Sequence, residues 1–100
     1  MIDFSMEKEL VNRNYRKLSC ETHYHNNLDD GVETDIQCCW VYSKKGDECS
    51  IVSLDHDVLN SKWILSYPMK NSKVNYRLTM ETKDEVAEYI RFLLSENALE

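Results

Sequence analysis

The chain has 100 residues, 42% of them apolar and 30% charged, which limits it to one domain with a single modest core and excludes a cleft between two domains. No apolar run approaches the roughly 20 residues needed to span a bilayer. No proline-rich, serine-rich or low-complexity tract argues against order, and a formal charge of −6 disfavours nucleic-acid binding, which needs a positive contact surface.

Taken in chain order, Phe4, Val11, Tyr15 and Leu18 fall on a narrow helical stripe and Glu7 and Glu9 suit a first turn, predicting a short N-terminal helix over residues 5–14. From Tyr15 the period becomes two, with Leu18, Cys20, Thr22 and Tyr24 alternating against Lys17, Ser19, Glu21, His23 and His25, the pattern of a strand. Residues 26–31 form a turn cluster of Asn, Asp and Gly. The next strand, residues 32–42, is the most regular. Val32, Thr34, Ile36, Cys38, Trp40 and Tyr42 share one face, expected in the core, and Glu33, Asp35, Gln37 and Cys39 share the other, expected wet and acidic.

A polar loop at residues 43–47 predicts a hairpin into a strand over 48–54. Residues 55–61 break the alternation as a helical turn or irregular loop, and residues 62–67 resume it until Pro68, which cannot donate to a ladder. A last strand spans residues 74–80. Thr82-Lys83-Asp84-Glu85 fits a capping box, and Val86, Tyr89, Ile90, Leu93 and Leu94 form one apolar helical stripe that needs a sheet beneath it. The expected fold is therefore α+β: an antiparallel sheet of about five strands packed on one face by a C-terminal helix, in a single globular domain over residues 1–100.

The first residues lack a basic-then-apolar leader pattern, so a cytoplasmic protein with reduced thiols is expected. In that setting Cys20, Cys38 and Cys49 serve as small core hydrophobes, while strand alternation turns Cys39 outward as an accessible thiol. Trp40 and Trp63 alternate with polar residues and are expected in the core.

Chemistry-bearing residues are few. His23 and His25 share a strand face and, with His56, are the alternative metal ligands, zinc being the candidate metal. Asp55-His56-Asp57 is the only grouping that resembles acid–base equipment, yet neighbouring residues point apart and Asp57 more simply caps a turn. No phosphate loop or nucleophile elbow is present. The expectation is a protein that is not an enzyme and uses no cofactor.

Charge is segregated along the chain. Residues 21–57 hold nine acidic residues against Lys44 and Lys45, and residues 58–80 hold Lys62, Lys70, Lys73 and Arg77 with no acidic residue. Glu33 and Asp35 on the central strand, Glu21 on its neighbour, and Asp29, Asp30, Asp47 and Glu48 in the flanking loops are thus the expected acidic contact surface for a basic protein partner. Phe92 falls off the apolar stripe, near Glu85 and Glu88, as a second contact. In size and style such a compact acidic chain resembles small phage inhibitors of host or defence proteins and bacterial immunity proteins, with no motif shared. That resemblance implies a non-enzymatic inhibitor or modulator, with nucleic-acid mimicry as one version. The rivals are a small metal-binding or hydrolytic protein built on His23, His25 and His56, and a homo-oligomer paired through an edge strand.

Overall fold

The computed structural model describes residues 4–20, 23–27, 33–70 and 74–99. The elements are α1 (Phe4–Asn12), β1 (Tyr15–Leu18), β2 (His23–Asn27), β3 (Glu33–Lys44), β4 (Asp47–Asp57), β5 (Lys62–Pro68), β6 (Asn75–Met80) and α2 (Lys83–Ser95). All strands join one antiparallel sheet in the order β1-β3-β4-β5-β6, with β2 also pairing β3. β1 pairs with residues 41–44 of β3 and β2 with residues 33–37. They share one rank, so the sheet is five strands wide, as the alternation predicts.

Local chemistry explains the joints. The β3–β4 turn places Gly46 at φ 86°, a conformation that a Cβ disfavours. Thr82 caps α2 by accepting the Glu85 N–H at 3.1 Å, as the capping box predicts. Helix α1 ends by Asn14 at φ 70°, from which β1 turns into the sheet.

Both helices cover the same sheet face. Met6 and Leu10 of α1 and Val86, Ile90, Leu93 and Leu94 of α2 meet Tyr15, Trp40, Tyr42, Val52, Leu54, Leu65, Tyr67 and Met80 in one buried cluster. Each large apolar side chain buried there contributes about 1.5–3 kcal/mol. Helix α1 is fastened by polar contacts as well: the Tyr42 hydroxyl donates to Glu7 Oε1 at 3.0 Å, and Arg13 Nη2 donates to the Leu94 carbonyl at 3.2 Å.

The long central strand departs from unbroken alternation. Cys38 pairs with Asp55 but Trp40 pairs with Leu54, so Cys39 is an extra residue in a β-bulge. One inserted residue reverses every side chain beyond it. Trp40 and Tyr42 therefore face the helices, whereas Ile36 and Cys38 face the opposite side with Asp55 and Asp57. Glu33, Asp35 and Gln37 share one face, as the sequence predicts, but it is the helix-bearing side and not the side opposite Trp40 and Tyr42. The expected break at residues 55–61 is also shorter, because β4 continues to Asp57 and only the segment before Lys62 turns.

The expected reduced thiols are overturned at two positions. Cys20 and Cys38 form a disulfide with a Cα separation of 5.6 Å. The interruption between β1 and β2 lies alongside the bulge, and this brings Cys20 next to Cys38. Cys39 is free and exposed, as alternation predicts. Trp40 is buried at 4% exposure, while Trp63 is only partly buried at the margin of the core.

Candidate functional site

The residues predicted to form one acidic surface are dispersed. Glu33 and Asp35 stand at the open end of the β3–β4 hairpin, and Asp47 and Glu48 follow its closed end. At about 3.3 Å per residue the two groups are about 30 Å apart. Glu21, Asp29 and Asp30 lie outside the described residues. Asp47 accepts a hydrogen bond from Ser50 Oγ at 2.8 Å, a local turn contact. Exposed Val58 and Leu59 share the open end with Glu33, whose carbonyl accepts from Asn60 Nδ2 at 2.8 Å.

The Asp55-His56-Asp57 grouping is divided by its strand. Asp57 is buried and accepts from the Asp35 N–H at 3.1 Å, the Asn60 N–H at 3.3 Å and Asn60 Nδ2 at 2.7 Å. Burial alone would raise its pKa, but these donors outweigh it and hold the carboxyl below its ordinary value. Its role is to cap the turn into β5. His56, on the other face, stacks on Trp63 with ring centroids 3.8 Å apart. Burial raises the Asp55 pKa against the pull of Arg77.

In register, His23 pairs with Gln37, and Gln37 pairs with His56. Two strand spacings, about 10 Å, thus separate the backbones of the two histidines. His25 pairs with Asp35. Among the described residues no group of three His, Cys, Asp or Glu side chains is placed to hold a metal ion. No described helix is long and apolar enough to cross a membrane.

A small recess of about 150 Å³ is lined by Cys39, Trp40, Trp63 and Lys83, with the Lys83 ammonium 5.0 Å from the Trp63 ring centre. Burial, with Asp55 adding to it and Lys83 opposing, pushes the Cys39 thiol up. A raised pKa keeps sulfur protonated at neutral pH and makes it a poor nucleophile.

An open surface groove lies between α2 and β6. Met80, Glu85, Glu88, Tyr89 and Phe92 line a groove of about 310 Å³. Phe92 is 54% exposed and Tyr76, on the same sheet face as Met80, is 41% exposed. From the groove a connected set of rings runs into the sheet: Phe92 to Tyr89 at 6.0 Å, Tyr89 to Tyr67 at 5.6 Å and Tyr67 to Tyr76 at 5.9 Å. The Tyr67 and Tyr89 hydroxyls hydrogen-bond at 2.8 Å, which ties Tyr89 to the sheet. Burial, then this bond, drives the Tyr67 pKa far above the ordinary phenol value, so it remains a neutral structural group.

The sequence picks out Phe92 and its acidic neighbours through helical spacing, since residues 85, 88, 89 and 92 share one flank. It misses Met80 and Tyr76, because only the docking of α2 beside β6 brings strand and helix residues together. No family model matches the chain, and no curated protein or solved structure matches it.

Proposed function

We propose that this is a small non-enzymatic protein-binding module that inhibits or modulates a partner with a basic contact surface. The observation that supports it is the α2–β6 groove, in which half-exposed Phe92 lies beside Tyr89 and shares the lining with Met80, Glu85 and Glu88. Large aromatic side chains at the centre of a contact, bordered by charge, are the usual carriers of binding energy. Carboxylates at the rim steer a basic partner and set specificity. The open end of the hairpin, with Glu33, Asp35, Val58 and Leu59, is a second and smaller contact.

The test is affinity capture with the wild-type protein, Phe92→Asp and the Glu33→Lys/Asp35→Lys double variant, washed at low and high salt. Loss of a retained partner with Phe92→Asp, and a smaller loss with the hairpin variant, is expected. Equal retention by all three proteins would overturn the reading.

A further inference from the structure

The two edges of the sheet are built differently. The β1/β2 edge is interrupted, shifts register and is crossed by the Cys20–Cys38 disulfide. Interruptions of this kind stop a foreign strand from pairing. Among the described residues the β6 edge has no such interruption or cross-link. Its six residues pair with β5 in unbroken register from Met80 to Asn75 and include neither proline nor lysine. Among the described residues β6 pairs with β5 alone. Its one charge, Arg77, lies on the face away from the groove, since it pairs with Ser66, whereas Tyr76, Leu78 and Met80 pair with the core-facing Tyr67, Leu65 and Trp63. Met80, the last residue of this regular edge strand, thus lines the aromatic groove opposite Glu85, Glu88, Tyr89 and Phe92 of α2.

We infer that the groove takes an extended segment of a partner protein as an added strand on β6, with a large apolar side chain against Phe92, Tyr89 and Met80 and a Lys or Arg at Glu85 and Glu88. This rests on the reading of the groove as the partner-binding site and specifies the partner's chemistry. An added strand gains main-chain hydrogen bonds from an edge that pairs with no further described strand, and its alternate side chains enter the groove and supply selectivity. The preference for a basic segment follows from the rim. Among the described residues neither Glu85 nor Glu88 enters an ion pair, whereas Glu81 nearby is held by Lys62. A second copy of the chain is the poorer occupant, because pairing β6 with β6 brings two acidic rims and two chains of charge −6 together.

A random linear peptide library selected against the folded wild-type protein tests this, with Phe92→Asp as counter-selection and hydrogen exchange as the map. Phe92 is exposed, so the Asp variant keeps the fold, verified by an unchanged urea midpoint. The expected peptides pair a large apolar residue with a Lys or Arg two positions away and lose about ten-fold in affinity against Phe92→Asp or Glu85→Lys/Glu88→Lys. They also slow exchange of the residue 75–80 amides about ten-fold. Peptides that depend on Phe92 but leave the β6 amides unprotected would overturn strand addition while sparing the groove as a binding site. Enrichment that ignores Phe92 would overturn both. Concentration-dependent protection of the same amides without peptide would replace the partner segment by a second copy.

Discussion

Helix α2 divides the molecule into a fastened side and an open one. On its first flank α1 closes over it: Met6 and Leu10 enter the core beside Leu93 and Leu94, Arg13 reaches the Leu94 carbonyl, and Tyr42 holds Glu7. Its second flank faces β6, where no described element covers Phe92. The same helix therefore carries a residue at 2% exposure, Leu93, next to one at 54%, Phe92. The sheet repeats the asymmetry, with an interrupted, cross-linked edge under α1 and a regular edge at β6. On the proposed reading of the groove, stability and recognition are separable because they fall on opposite sides of one helix.

Four variants test that separation. Leu10→Ala on the fastened side empties a site of 0% exposure and should cost about 2–5 kcal/mol in urea unfolding. A cost near that of a surface change would show that α1 is not integral to the core. Replacing Cys20 and Cys38 by serine, or reducing the wild type, releases a cross-link spanning 18 residues and should lower stability by about 3 kcal/mol. An unchanged midpoint with and without reductant would remove the disulfide from the account of that edge.

Tyr42→Phe should cost about 1 kcal/mol through loss of its bond to Glu7. It also carries a pH signature. Burial, then the Glu7 carboxylate, pushes the Tyr42 hydroxyl up to about 12. An unfolded tyrosine ionises near pH 10, at about its model-peptide value. The folded pKa is the higher one, so this stability is fully present below pH 10 and is lost as pH rises through about 12. The Phe variant should lose less stability than wild type across that window. An identical alkaline decline would mean that Tyr42 is not the group responsible.

The smallest effect on stability belongs to the open side. Phe92→Ala should change unfolding free energy by less than about 0.5 kcal/mol while weakening partner binding about ten-fold or more. A large loss of stability would close the open flank and end the comparison.

The Cys39 bulge shows where reading by period stops. Alternation through residues 32–42 is uninterrupted in the sequence, and a strand forms there, because alternating apolar and polar residues have no other half-buried arrangement. Yet one extra residue between Cys38 and Trp40 places Ile36 on the other side from Trp40. A bulge is a tertiary choice: it depends on what β4 and the β1/β2 rank offer as partners, which local spacing does not encode. The acidic surface drawn from the sequence separates because the hairpin's length puts Glu33 and Asp35 at one end and Asp47 and Glu48 at the other.

By itself the sequence determined α2, its Thr82 cap and buried stripe, the short first helix, the strand content and hence the α+β class, because each rests on contacts within a few residues. It also marked Phe92 and the turn-capping role of Asp57. The tertiary structure alone decided that α1 covers only one flank of α2, that Cys20 meets Cys38, and that Met80 joins Phe92 beside a regular edge strand. Those outcomes depend on which elements become neighbours across the sheet, and the residues concerned lie too far apart in the chain for any local period to join them.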